Sequence, residues 1–212
     1  MRKLTIVLAI AFAALLIGAR LPAPGLGSSQ AMAADAPTVY PDDMFMGKPD
    51  AKVTVFEFAS LSCPHCAAFN NDVLPRIKAD YMDKGLVRWI YRDFPLNRDA
   101  FLAAILAHCA SPIRYFAMVD SLFHSQSFWE TQPDVLVALK QIGASEGVDE
   151  KTYDACIDDK ALKDKILARL KEASDKFQVN ATPSFIINGK LYSGEMPYDD
   201  FKKILDEALG AS

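Results

Sequence analysis

The sequence predicts an α/β chain whose sheet-forming parts are separated by a long all-helical insertion. Three observations carry this. KVTVFEF at 52–58 and LVRWIYRDF at 86–94 are β-branched, aromatic runs flanking a stretch with helical periodicity, the pattern of a strand–helix–strand unit. Residues 98–178 then show no convincing strand. Strand signals return in SFIINGKLY at 184–192, where two arms flank Asn188-Gly189, a pair suited to the positive φ angles of a two-residue hairpin turn.

The N-terminal residues, 1–33, read as a signal peptide. Arg2 and Lys3 are its positive region, Leu4 to Ala19 its apolar region, and Ala31-Met32-Ala33 its cleavage site. The apolar run, about 16 residues, is short beside the roughly 20 of a membrane span. The alternative is an uncleaved anchor. On either reading the folded part is exported, to a bacterial periplasm or cell surface.

The remainder divides into 34–97, 98–178 and 179–212. Residues 34–50 form a lead-in with an expected short strand at Thr38 to Tyr40. The strand at 52–58 is apolar on nearly every position, as in a central strand covered on both faces. Ala67 to Tyr81 reads as a helix on Phe69, Val73, Leu74 and Ile77, kinked at Pro75. In the insertion, AFLAAILAHCA is helical, and Ser111-Pro112 reads as the start of the next helix. Further helices are expected at 133–143, at 149–157 and on the spacing of Leu162, Ile166, Leu170 and Phe177. Phe116, Phe123, Phe128 and Trp129 are expected to fill the insertion core, the alternative being the lining of a groove for unfolded chains. The Lys/Asp-rich face of 158–176 reads as solvated, with i,i+4 pairs. His108 and His124 read as ordinary helix residues. Pro197 to Leu209 closes the chain as a helix, with Asp199 and Asp200 in its first turn.

Half of the 212 residues are apolar, enough to bury a core of ordinary size. A net charge of −4 leaves no basic footprint for nucleic acid. No internal repeat or low-complexity block occurs.

Four cysteines, 63, 66, 109 and 156, allow three pairings in an oxidising compartment. Cys63-Pro64-His65-Cys66 lies where the first strand meets the first helix. A helix beginning at Cys63 surrounds its sulfur with unpaired backbone N–H groups and the positive end of the helix dipole, which favours the thiolate. His65 adds a donor or cation beside it, and Pro64 fixes φ at the helix start without an unpaired N–H. Cys63 is then the exposed attacking sulfur and Cys66, one turn in, the buried resolving thiol. Zinc needs about four ligands and one CxxC supplies two; the three histidines show no ligand spacing, so no metal or other cofactor is expected. A purely structural Cys63–Cys66 bond closes too small a loop to add much stability.

Three stretches, GKPDAKVTVFEFASLSCPHCAAF, YRDFPL at 91–96 and ATPSFIINGKLYSG at 181–194, resemble the DsbA-like branch of the thioredoxin superfamily. The resemblance covers nearly the whole mature chain and implies a thioredoxin fold with an inserted all-helical subdomain: 34–97 and 179–212 the two parts of the fold, 98–178 the insertion. It implies a periplasmic thiol:disulfide oxidoreductase that introduces disulfides into exported unfolded or reduced proteins and is reoxidised by a membrane quinone-linked thiol oxidase. Cys63 and Cys66 match the redox pair. Glu57, six positions before Cys63, matches an acidic residue that relays a proton to Cys66; its alternative is an edge residue facing solvent. Thr182-Pro183 matches the cis-proline loop on which an extended substrate lies; the alternative for Pro183 is a plain strand-start proline. Thr182 stands where the best-known oxidant has Val, and Thr also occurs there in isomerase- and reductase-like relatives. Cys109 and Cys156 are expected to form a structural disulfide, with two free buried thiols as the alternative.

The leading expectation is a monomeric dithiol oxidase. A disulfide isomerase or reductase on the same fold is the second, and the lead-in is too short for the dimerisation domain such proteins often carry. A thiol metal chaperone or holdase is the third.

Overall fold

The computed structural model describes residues 36–210. The expected signal peptide, 1–33, lies outside them. Five strands form one mixed sheet in the order β1-β3-β2-β4-β5. β2 (Val53–Ala59) runs parallel to β3 (Val87–Asp93), with Glu57 opposite Tyr91. On its other edge β2 pairs antiparallel with β4 (Ser184–Ile187). β4 turns back into β5 (Lys190–Ser193) through Asn188 and Gly189, at φ 49° and 76°. Both residues take the positive φ that a two-residue turn requires. β1 is Phe45–Met46, antiparallel to β3. The expected strand at Thr38 to Tyr40 does not form. That segment is held by side chains instead: Arg92 donates to Thr38 O at 2.5 Å and to Asp43 Oδ2 at 2.8 Å.

Alternation along β2 explains its continuous apolar character. Val53 and Val55 join Phe69, Trp89, Phe185 and Phe201 on one face. Phe56 and Phe58 join Ile90, Phe177 and Ile186 on the other. Ring centroids in the first group approach to 4.7 Å for Phe69–Phe185 and 4.9 Å for Phe185–Phe201, tilted or edge-on as aromatic quadrupoles prefer.

The helix expected at 67–81 starts earlier and is not uniform. It begins with α1 (Pro64–Ala68), widens at Phe69–Val73, tightens into α2 (Leu74–Ile77), and widens again at Lys78–Met82. In the first wide turn Leu74 N–H reaches back five residues to Phe69 O. Pro75 follows at once. It has no N–H to offer the preceding turn, and its ring crowds the carbonyl four residues back, so the helix loosens there rather than simply kinking.

The insertion contains α3 (Arg98–Cys109), α4 (Tyr115–His124), α5 (Gln126–Trp129), α6 (Val135–Ser145), α7 (Glu150–Asp158) and α8 (Lys160–Phe177). Side chains of Asn97, Asp134, Asp149 and Asp159 cap α3, α6, α7 and α8. Ser111-Pro112 does not open α4; Arg114 N–H bonds back to Ser111 O in a turn, and the helix starts at Tyr115. Lys160–Asp164, Lys171–Asp175 and Glu172–Lys176 are i,i+4 pairs on α8. Cys109 and Cys156 are bonded, tying α3 to α7 with Cα atoms 6.1 Å apart. Phe123 and Trp129 are buried in the insertion core and Phe116 packs against it, but Phe128 is exposed because it points off a four-residue helix. α9 (Tyr198–Leu209) buries Tyr198, Phe201 and Leu205 beside the sheet. No helix among the described residues is long and apolar enough to cross a membrane.

Candidate active site

Cys63 is the N-cap of α1, in extended conformation, with Pro64 as the first helical residue. The chain turns into this position because Cys63 N–H bonds to Ser60 O at 3.0 Å, and Ala67 N–H then reaches Cys63 O at 3.1 Å. The sulfur therefore lies where the first N–H groups of the helix have no partner of their own. Both cysteines are free thiols. Cys63 is less open than its expected role suggested, 5% accessible, yet Cys66 has no accessible surface at all. One turn of helix carries Cys66 inward against the sheet.

The two thiols have opposite acidities. Cys63 is lowered to about 5, chiefly by the hydrogen bond from the Cys66 thiol, then by Thr182 and the backbone N–H groups of Cys66 and His65, against the opposing effect of burial. Burial pushes the Cys66 thiol far up, and the adjoining Cys63 sulfur adds to it. Backbone N–H groups at the helix start thus contribute to lowering Cys63, but the neighbouring thiol is the larger contributor.

Thr182-Pro183 lies against the pair. Its peptide is cis, and Thr182 O is 3.3 Å from Cys63 Sγ. The Thr182 hydroxyl is buried beside Cys63 and favours its thiolate. Pro183 O accepts from Gly194 N at 2.8 Å, which fixes this loop to the segment after β5.

Glu57 is 1% exposed, not an edge residue. Trp89 Nε1 donates to Oε2 at 2.8 Å, and Oε1 has no partner. Burial raises the carboxyl to about 7, and the Trp89 bond only partly offsets this. A cavity of about 270 Å³ opens beside it, lined among others by Tyr91, Asn70, Leu74, Phe116 and Val119.

His65 is exposed and turned to Glu195, with Nδ1 3.0 Å from Oε2. Glu195 raises the His65 pKa, and the Cys63 charge does so further. Sequence reasoning missed Glu195, Trp89 as the Glu57 partner, and Gln126, whose Nε2 donates to Leu61 O at 2.6 Å and Cys63 O at 3.1 Å. None stands in a motif, and each contact joins residues far apart in sequence. His108, read as ordinary, places Nε2 2.7 Å from Asp93 Oδ2 in a largely buried pair. Cys109 and Cys156 lie in the insertion, on α3 and α7.

A mixed sheet, a cysteine pair at a helix N-terminus and a cis-proline loop beside the first sulfur define a dithiol protein of the thioredoxin class. A family model described as thioredoxin matches residues 39–207, and the chain belongs to that family, in its DsbA-like branch. The crystal structure of Wolbachia pipientis alpha-DsbA1 is 31% identical, covers 81% of this chain and 93% of its own, and superposes with a TM-score of 0.76. Oxidised BdbD from Bacillus subtilis is 26% identical, covers 79% and 93%, and has a TM-score of 0.71. A Rickettsia bellii protein named putative protein-disulfide oxidoreductase is 30% identical over 70% of this chain and 58% of its own length. The chain thus spans less than two thirds of that relative.

Proposed function

We propose that this protein is a periplasmic dithiol oxidase that transfers its Cys63–Cys66 disulfide to exported, reduced or unfolded proteins. The observation that carries this is the split between the two thiols: Cys63 lowered to about 5, Cys66 raised. A sulfur that readily holds negative charge is a good leaving group, and a stabilised reduced form makes the disulfide form a strong oxidant.

A substrate thiolate attacks Cys63 Sγ, forms a mixed disulfide and breaks the Cys63–Cys66 bond. Cys66 leaves with the electron pair and takes a proton. Glu57, near 7 in acidity, supplies that proton and regains one through the adjoining cavity. A second substrate thiolate then attacks the substrate sulfur of the mixed disulfide, and Cys63 departs as thiolate. The substrate loses two electrons and the protein becomes a dithiol. Thr182 and Pro183 present a backbone edge beside Cys63 for the extended substrate. His65 lends positive charge at the helix start. Cys109–Cys156 is a structural staple. A membrane quinone-linked thiol oxidase restores the disulfide, and the protein works as a monomer.

Alkylation trapping of Cys63 and Cys66 in cells, with the couple's reduction potential, tests the direction. Mostly disulfide with an oxidising potential is expected. Mostly dithiol, with a potential near that of thioredoxin, identifies an isomerase or reductase instead.

A further inference from the structure

We infer that Gln126 is a positioning residue for Cys63, through which the helical insertion holds the attacking sulfur in place at the helix start. The inference rests on Cys63 being that sulfur. Gln126 opens α5 and is 6% exposed. Its Nε2 donates to two carbonyls of the loop entering α1, Leu61 O at 2.6 Å and Cys63 O at 3.1 Å. More than sixty residues separate donor from acceptors, so the contact exists only because the insertion folds over the loop.

One amide nitrogen has two protons, and here each has a different carbonyl to meet. Cys63 O also accepts from Ala67 N, so this carbonyl is held from the helix and from the insertion at once. Holding Cys63 O fixes ψ at the N-cap, 119°, and with it the direction in which the side chain leaves the backbone. That direction brings Sγ to the N–H groups of His65 and Cys66, two of the contacts that acidify it. Holding Leu61 O fixes the approach to the cap. α5 is itself anchored: Trp129 is buried and its Nε1 donates to Leu122 O at 2.8 Å.

Removing the two donors while keeping the volume lets the cap relax. The sulfur then loses alignment with its donors, and the reduced form loses part of its advantage. The variants are Gln126→Leu and Gln126→Met in the full chain, with Trp129→Phe as a control that loosens α5 without touching either carbonyl. Thiolate absorbance near 240 nm is followed against pH in the reduced proteins, with the equilibrium against glutathione and the melting temperature. The expected result is an upward shift of about one pH unit in Cys63 ionisation in both Gln126 variants. The glutathione equilibrium follows by roughly tenfold toward the disulfide form. Trp129→Phe is expected to lower the melting temperature and to shift Cys63 much less than either Gln126 variant, since both donors remain. An acidic Cys63 in the parent with unchanged titration in both Gln126 variants overturns the inference, whatever their stability. An equal shift in Trp129→Phe overturns it too, by showing general loosening. A parent Cys63 that ionises like free cysteine fells the functional reading as well, and that result is read before any variant is made.

Discussion

Trp89 donates its indole N–H to Glu57 Oε2 at 2.8 Å, while Oε1 of the same carboxyl is buried with no partner. A half-satisfied buried acid holds its proton more tightly than a solvated one, and Glu57 stands near 7 instead of the usual carboxylate range. Such a group both gives and takes protons near neutrality. Glu57→Gln is expected to slow oxidation of a reduced model peptide at neutral pH by roughly tenfold to a hundredfold, since Cys66 then leaves without a proton donor. Trp89→Phe removes the one bond that favours the carboxylate, so protonated Glu57 persists to higher pH. Infrared absorption of the neutral carboxyl, present in Trp89→Phe above pH 7 and missing in Glu57→Gln, checks both. A Trp89→Phe carboxyl that ionises below its parent contradicts the assignment.

Glu195 lies 3.0 Å from His65 Nδ1, across 130 residues of sequence. The carboxylate favours imidazolium, so the His65 pKa stands above its ordinary value. Glu195→Gln is expected to lower the His65 titration midpoint followed by NMR of the ring protons. Oxidation of Cys63 should lower it as well, because the thiolate is a second cause of the rise. A midpoint indifferent to both changes would show that the pair does not persist in solution.

Local pattern made much of this architecture legible. β2 and β3, the Asn188-Gly189 turn, α7 with its Asp149 cap and α9 follow from periodicity and capping within short windows. Failures came where distant residues decide. Residues 38–40 are not a strand because Arg92, buried with Asp43, holds the segment by side-chain contacts, and Arg169 of α8 reaches the same carboxylate at 3.3 Å. Tyr115, not Pro112, starts α4 since the preceding residues close a turn of their own. Cys63 and Cys66 were recognisable from two-residue spacing after a strand. Gln126, Glu195 and Trp89 were not, because polar residues at loop ends and in strands are common and only the closed fold reveals what they meet.

Cys109 and Cys156 close a loop of 47 residues between α3 and α7. In the chain-entropy picture such a crosslink restricts the unfolded state by about 4 kcal/mol, and measured values commonly fall below this. The double variant Cys109→Ala, Cys156→Ala is expected to lose roughly 2–4 kcal/mol in guanidinium unfolding, with its active-site cysteines kept in one redox state. A loss below about 0.5 kcal/mol would mean that the staple restricts little.

The acidity of Cys63 also fixes how stability depends on pH in the two redox states. A thiol lowered from an ordinary value of 9.0 to about 5 favours the folded, reduced protein. That contribution is complete above the unfolded value and disappears as pH falls through the folded one. Cys66, displaced upward, stays a neutral thiol both folded and unfolded below about pH 8, so it adds no slope there, and above that its unfolded ionisation opposes folding. Glu57 acts with the opposite sign: its raised pKa favours the folded protein below the unfolded carboxylate value, and the advantage is lost as pH rises through about 7. Glu57 is present in both redox states and largely drops out of their difference. The disulfide form has no Cys63 proton to lose. The melting temperature of the reduced protein minus that of the oxidised protein is therefore expected to increase steadily from pH 5 toward pH 8. Calorimetry of both forms across that range measures it. A difference that stays flat or shrinks with rising pH means the Cys63 thiolate is not held by the fold, and the oxidising power proposed here has no source.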